Sequence, residues 1–209
     1  MRCCETGKAA GKRDFARGER AGYGANPTPM QEFAPMPTPD LTPIEQARFV
    51  ADTLAIAEQL AADTAWRADF IVGIGRGGLV PGTFLSHATG LPMLSVDYSS
   101  QEPAFSADLL VQLARRTAGG TRLVFVDDIN DSGRTIRFIR AALADAGADM
   151  AAVRFATLID NVTSTERVDY FAQRIDRTVF KNWFVFPWEA VAPAESVVED
   201  AQAVPERLG

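Results

Sequence analysis

The sequence predicts an α/β protein with a central, mainly parallel sheet flanked by helices. Three observations carry the prediction. Short continuous apolar runs recur at "DFIVGI", "PMLSVD", "RLVFVDD" and "AAVRFATLI", helix-length segments alternate with them, and two of the runs end in glycine-containing turns that open helices. Apolar strands without polar alternation belong to sheets covered on both faces, and alternation of strands with helices marks parallel connections.

Ordered structure is expected from "LTPIEQARFVADTLAIAEQLAA" onward. Thr42 can cap a helix, Pro43 suits its first position and Glu45 completes a capping box, with Ile44, Ala47, Ala51, Leu54 and Ala61 along one face. "FIVGI" then meets "GRGG" and a helix over about residues 79–89, closed by Gly90. After "PMLSVD" comes a long polar-to-apolar connection, then "RLVFVDD", a helix over residues 133–146 ended by Gly147, and "AAVRFATLI". Weaker strand signals lie at "VDYFAQRI" and "NWFVFPW", and no internal repeat is present.

A chain of 209 residues, 47% of them hydrophobic, can fill one core of ordinary size but not two. Residues 1–39 are expected to be a disordered tail and linker, residues 40–190 the folded domain, and residues 191–209 a loose acidic tail. Residues 1–20 hold six basic and three acidic side chains, and "ANPTPMQEFAPMPTP" is proline-spaced and poor in apolar residues. Met30 and Met36 are expected as alternative starts. No run approaches the roughly 18 apolar residues of a membrane helix and no secretory signal is present, so the expected location is cytoplasmic with no membrane partner.

The formal net charge of -6 argues against a surface that coats nucleic acid, while leaving room for a small anionic substrate held by local donors. Cys3 and Cys4 are adjacent in a polar segment and build neither a disulfide framework nor a zinc site. The single histidine, His87, is expected to be packed in a helix. Any metal must therefore be held by oxygen, which favours magnesium.

Two glycine turns carry the functional signal. In "FIVGIGRGGLVPG", Gly73, Gly75 and Gly78 fit the dinucleotide spacing G-x-G-x-x-G, and Asp97 ends the next strand where a ribose-binding acid would stand. A tight strand-to-helix turn that needs small residues accounts for the same glycines. In "LVFVDDINDSGRTI" the strand ends in Asp127 and Asp128, which can present oxygens to ribose hydroxyls or to hydrated magnesium. The following turn, residues 131–135, supplies backbone N–H groups, two hydroxyls and a helix N-terminus, which together bind a phosphate.

That second stretch resembles the signature of the type I phosphoribosyltransferases: an apolar run, two acids, two variable positions, a small or acidic residue, then Ser or Thr, Gly and Thr. The resemblance implies that family's fold, with a small C-terminal hood. It implies that Arg76 and Gly77 contact pyrophosphate, often through a strained cis peptide in this loop. Asp127 and Asp128 would hold the ribose hydroxyls and magnesium, with Asp128 as metal ligand. Asp131 would be the catalytic base or hydrogen-bond partner of the purine, and Ser132, Gly133, Arg134 and Thr135 would cradle the 5-phosphate.

"GRGGLVPGTFLSHATGLP" and "NWFVFPWE" are similar to segments of the bacterial xanthine-guanine branch, so that the likeness spans roughly residues 70–189. This implies that Trp183 stacks on the base and that the Phe184 backbone reads its edge; packing of an edge strand in the core accounts for the same aromatics. An acid at Asp131 implies a 6-oxopurine. The implied partners are phosphoribosyl pyrophosphate, a nucleobase and a second copy of the chain, with no nucleic acid.

Two departures stand beside the likeness. Where the family places a lysine after the strand corresponding to "FATLI", Asp160 and Asn161 occur, and the loop "SSQEPAFSADLLVQL" that should close over the site holds no basic residue. Arg115 and Arg116 are the nearest cations and read as solvated helix-end charges. Closure of residues 99–120 over the site is expected. A non-catalytic sensor of phosphoribosyl pyrophosphate, or a transferase for another base, remains open, with a Rossmann oxidoreductase more remote.

Overall fold

The structure, a computed structural model, describes residues 39–98 and 107–202. The expected N-terminal tail up to residue 38, its alternative starts and all of the "SSQEPAFS" stretch lie outside the described residues. In chain order the elements are β1 (Leu41–Pro43), α1 (Gln46–Ala62), β2 (Phe70–Ile74), α2 (Gly75–Thr89), β3 (Met93–Val96), α3 (Ala107–Ala118) and β4 (Leu123–Asn130). They continue as α4 (Arg134–Asp145), β5 (Val153–Asn161), β6 (Tyr170–Ile175), β7 (Trp183–Val185) and α5 (Ala194–Gln202).

Five strands form one parallel sheet in the order β3-β2-β4-β5-β6. Successive side chains on a strand point to opposite faces, so a strand covered on both sides must be apolar at every position. Ile71 and Val124 accordingly pack with Phe49, Ile56, Leu60 and Leu85 from α1 and α2. Their neighbours Val72, Leu123 and Phe125 pack with Leu110, Leu113, Ile139 and Leu143 from α3 and α4. Burying each of these large side chains stabilises the fold by about 1.5–3 kcal/mol. The sheet thus carries α1 and α2 on one face, α3 and α4 on the other.

The first helix differs from the sequence expectation. Leu41–Pro43 is a strand, and the N-cap of α1 is Glu45. Thr42 and Pro43 are taken by β7, which lies parallel to β1 with Thr42 opposite Phe184; Asn182 Nδ2 also donates to Thr42 Oγ1 at 2.9 Å. The hood is therefore built from both ends of the domain. The buried face of α1 is Phe49, Asp52, Thr53, Ile56, Ala57 and Leu60, whereas Ala47, Ala51, Leu54 and Ala61 are exposed. Aromatic and branched side chains bury more apolar area than alanines, and the helix rotates to place them inward. Asp52 is tolerated there because Arg48 Nε donates to it at 2.9 Å and Gln173 reaches its other oxygen.

Three further expectations are corrected. His87 is exposed in the last turn of α2. Ala107–Ala118, expected to belong to a closing loop, is a helix whose Leu110, Leu113 and Ala114 are buried, so the apolar spacing of that half serves the core. Ala194–Gln202, in the segment read as a loose acidic tail, is α5 with Ala201 buried.

Candidate active site

Helix α2 starts at Gly75, directly after β2, four residues earlier than the sequence pattern suggests. Its glycines answer to packing. A Cβ on Gly78 would stand 2.0 Å from the Val126 carbonyl oxygen, and one on Gly77 would stand 2.6 Å from Asp128 Oδ2. Gly75, at φ 50°, has the Tyr98 carbonyl oxygen where its Cβ would be. The first turn of α2 therefore rests on the C-terminal half of β4, and its N–H groups open beside the carboxylate pair. Arg76 is exposed on this turn, close enough for its charge to act on Glu189. No cis peptide occurs among the described residues.

Strand β4 runs through the paired acids to Asn130 rather than stopping at them. Asp127 Oδ1 accepts from the Asp128 N–H at 3.1 Å, and Asp128 Oδ1 accepts from the Ile129 N–H at 2.7 Å. Loss of solvent, and then the neighbouring charge of Asp128, push the Asp127 carboxyl well above the usual carboxylate range. Folded Asp127 thus keeps its proton to higher pH than the unfolded chain does, and stability falls as pH rises through that window. Asp127→Asn, which cannot ionise, is expected to melt about 2–4 °C higher than wild type at pH 8, the shift that about 1 kcal/mol makes in a chain of this size. The difference should close toward pH 4 in a calorimetric or fluorescence melt; a constant difference would assign it to packing.

After Asn130 the chain turns into α4 through Asp131, Ser132 and Gly133. Gly133 sits at φ 84°, and a Cβ there would meet Thr165 Oγ1 at 2.7 Å and the Glu166 nitrogen at 2.8 Å, so the turn requires glycine twice over. Thr165 Oγ1 donates to the Ser132 carbonyl at 2.7 Å, and Ser132 Oγ accepts from the Arg134 N–H at 3.4 Å. Buried Asn130 anchors the base of the turn: its Nδ2 donates to Asp160 Oδ1 at 2.8 Å and to the Glu166 carbonyl at 2.9 Å.

A cavity of about 1050 Å³ opens at this end of the sheet. Of the residues singled out from the sequence, Asp127, Asp128, Asp131, Ser132, Gly133, Arg134, Thr135, Trp183 and Phe184 line it, while Arg76 and Gly77 stand outside its wall. The aromatic segment divides. Phe186 stacks on Trp188 with ring centroids 4.8 Å apart, and Trp188 meets Phe49 edge-on, so Trp188 packs toward the core while Trp183 and Phe184 line the cavity.

The backbone of β7 is also oriented. The Trp183 N–H donates to the Asp40 carbonyl and the Val185 carbonyl accepts from the Ile44 N–H, each at 2.8 Å. In a parallel ladder alternate residues bond to a given neighbour, so the N–H and C=O of Phe184 point away from β1. Glu189 closes this wall; burial pushes its carboxyl up, and its Oε2 accepts from the Phe186 N–H at 2.8 Å.

Sequence reasoning missed Asn161, Thr163, Thr165, Arg177 and Lys181, which also line the cavity. Arg177 Nε donates to Asp131 Oδ1 at 3.0 Å, and its Nη1 donates to the carbonyls of Asn182 (2.7 Å) and Phe180 (3.2 Å). Its backbone N–H donates to Asn161 Oδ1, whose amide Nδ2 in turn donates to the Asp131 carbonyl at 2.9 Å. Burial brings the Arg177 pKa down to about 10. No spacing motif marks these residues. Asp160, where a lysine was looked for, is buried and bound by Asn130 and Arg174 (3.3 Å).

The parallel sheet order, with two helix N-termini and a carboxylate pair gathered at the strand ends, has the type I phosphoribosyltransferase fold. The phosphoribosyl transferase domain matches residues 43–193, and the chain belongs to that family. It is 30% identical over 131 residues to a xanthine-guanine phosphoribosyltransferase of Cereibacter sphaeroides (strain ATCC 17025 / ATH 2.4.3), covering 60% of this chain and 70% of the relative. Among solved structures it is similar to a purine phosphoribosyltransferase of Pyrococcus horikoshii, at 25% identity and TM-score 0.55, over 74% of this chain and 97% of the other. A Neisseria gonorrhoeae protein solved with bound ppGpp shares the fold at 20% identity and TM-score 0.58, over 79% of this chain and 97% of that one.

Proposed function

We propose that the protein transfers the 5-phosphoribosyl group from phosphoribosyl pyrophosphate to a 6-oxopurine (guanine, xanthine or hypoxanthine), releasing pyrophosphate. One observation carries the reading: a single cavity collects a carboxylate pair, a glycine turn at a helix N-terminus and an aromatic wall, one site each for sugar diol, phosphate and base. The purine names of two relatives support the choice of base.

In this reading a purine ring nitrogen forms the bond to the anomeric carbon as that carbon's bond to pyrophosphate breaks, and the purine proton passes to Asp131 or is held by it. Ser132, Gly133, Arg134 and Thr135 hold the 5-phosphate through backbone N–H groups and hydroxyls at the start of α4. Asp127 and Asp128 take the ribose hydroxyls. Trp183 stacks on the base, and the outward N–H and C=O of Phe184 read its edge. Arg76 and Gly77 meet pyrophosphate at the start of α2, where donors strengthen as charge grows on the leaving oxygens.

The oxygen donors fit magnesium. Two adjacent carboxylates, one with its carboxyl pushed above the usual range by burial and then by its neighbour's charge, are relieved by a divalent cation. Magnesium binds through one or two carboxylates plus substrate phosphate and water, a set that oxygen donors of this kind can supply. Asp128 would hold it, and the ion would neutralise charge on the pyrophosphate.

We assign the transferase to residues 40–190, followed by α5 (Ala194–Gln202), acting as a cytoplasmic homo-oligomer, with residues 1–39 as a tail. No helix among the described residues is long and apolar enough to cross a membrane. The test is to incubate the full chain with phosphoribosyl pyrophosphate, magnesium and a panel of guanine, xanthine, hypoxanthine, adenine and orotate, and to assay nucleotide and pyrophosphate. Nucleotide from an oxopurine is expected. Binding of the sugar phosphate with no turnover on any base would point instead to a sensor.

A further inference from the structure

We propose that Asn161 is a positioning residue for Asp131: its carboxamide fixes the main chain of Asp131 and so sets where the carboxylate stands toward the base. The inference rests on the transfer reading above and adds to it the residue that holds the proton acceptor in place.

Asn161 ends β5, lines the cavity and is 4% exposed. The register of β4 and β5 stops one position earlier, at Asn130 opposite Asp160. Beyond that point the main chain of Asp131 leaves the ladder and turns toward α4. The Asn161 side chain takes the ladder's place, with Nδ2 donating to the Asp131 carbonyl at 2.9 Å. Its Oδ1 accepts from the Thr163 N–H at 3.2 Å, the Thr163 hydroxyl at 2.9 Å and the Arg177 N–H at 3.1 Å. These partners fix the orientation of the amide, because a flipped carboxamide would set its nitrogen against N–H donors and its oxygen against a carbonyl.

The contacts close a ring. Arg177, whose N–H rests on Asn161, donates from Nε to Asp131 Oδ1 at 3.0 Å. Asp131 is thus held by its main chain through Asn161 and by its side chain through Arg177, where the ends of β4 and β5 meet the loop after β6. Such placement matters to a reacting group: a displacement of about 1 Å costs about 100-fold in rate. The phosphate turn has anchors of its own. Thr165 Oγ1 donates to the Ser132 carbonyl at 2.7 Å and Asn130 Nδ2 to the Glu166 carbonyl at 2.9 Å, so loosening Asp131 leaves the grip on the sugar phosphate intact.

Asn161→Leu keeps the branch at Cγ and carries no hydrogen-bonding group. On the base that wild-type protein converts, it is expected to lower kcat by about 100-fold, while the calorimetric Kd of phosphoribosyl pyrophosphate with magnesium stays within about twofold. The cycle with Asp131→Asn is the decisive comparison. A residue that acts through the Asp131 carboxylate has nothing left to act on once that charge is gone, so the double variant should fall no more than about twofold below Asp131→Asn alone. A merely structural role lowers the melting temperature in both backgrounds and leaves kcat, assayed well below melting, unchanged in both.

Losses that multiply in the double variant overturn the proposal, as does Asn161→Leu with wild-type kcat, whether or not sugar-phosphate binding weakens. Should Asn161→Leu fail to fold, Asn161→Asp decides by the same cycle: it keeps an acceptor toward Thr163 and Arg177 and replaces only the donor toward the Asp131 carbonyl. Failure of the transfer reading shows differently. Wild-type protein that binds phosphoribosyl pyrophosphate and converts no base removes the reaction, Asp131→Asn with full turnover removes the role of Asp131, and in either case this inference falls with it.

Discussion

Asp131→Asn is expected to keep phosphoribosyl pyrophosphate binding and to lower turnover by roughly 100- to 10,000-fold, the range that general base catalysis supplies. The substitution preserves shape and an acceptor oxygen, so Arg177 Nε keeps its partner and the turn into α4 keeps its Asn161 contact to the Asp131 carbonyl. What it removes is the charge that, in the proposed reaction, holds or takes the purine proton.

A structural effect accompanies the chemical one. The Arg177 side chain is 10% and the Asp131 side chain 18% exposed, so neutralising the carboxylate leaves a largely buried cation without its counter-charge. A fully buried pair broken in this way loses about 3–5 kcal/mol, and the residual exposure of both groups lowers that figure to about 1–3 kcal/mol. The melting temperature should therefore fall by several degrees. Assays well below the new melting point separate the two: loss of stability leaves turnover intact there, and loss of the proton acceptor does not. Unchanged turnover would remove Asp131 from the chemistry.

Gly78→Ala is expected to cost about 3 kcal/mol or more, at the upper end of what overpacking does, and to abolish activity with it. The added methyl would lie 2.0 Å from the Val126 carbonyl oxygen and 3.0 Å from its carbon, and both are backbone atoms of the central strand. Neither can turn aside as a side chain would. The first turn of α2 must lift away from β4, and Gly77 then leaves Asp128. A fall of about 6–12 °C in melting temperature is the corresponding readout. Gly90→Ala is the contrast: Gly90 caps α2 at φ 71° with nothing within 4 Å of a Cβ, so the variant loses only the stability, about 1 kcal/mol, that an alanine at positive φ costs in backbone strain. Equal stability of the two variants would show that the β2–α2 turn can shift without cost.

The strands of the main sheet were legible because a strand covered on both faces must be apolar throughout, and no loop in this chain imitates that pattern for as long. Residues 123–136 were legible for a different reason. An acid pair, a small polar turn and a helix start are contiguous, so their geometry follows from the local chain path once β4 is a strand. The glycines of "GIGRGG" were visible but ambiguous. Their spacing fits a dinucleotide turn, and the structure accounts for Gly75, Gly77 and Gly78 by the close approach of α2 to Tyr98, Asp128 and Val126.

The first helix shows where local patterning fails. "LTPIE" has good capping chemistry, yet Thr42 and Pro43 form a strand, because their partners in β7 and at Asn182 lie about 140 positions away. Arg177 was invisible for the same reason: it reaches Asp131 across 46 positions from a loop of ordinary composition. Local periodicity and contiguous motifs therefore determined the parallel sheet, the carboxylate pair and the glycine turn into α4 from the sequence alone. Which face of α1 is buried, how β1 completes the hood and which cation stands beside Asp131 were decided only by tertiary packing, since hydrogen bonds and ion pairs between distant segments leave no period in the chain.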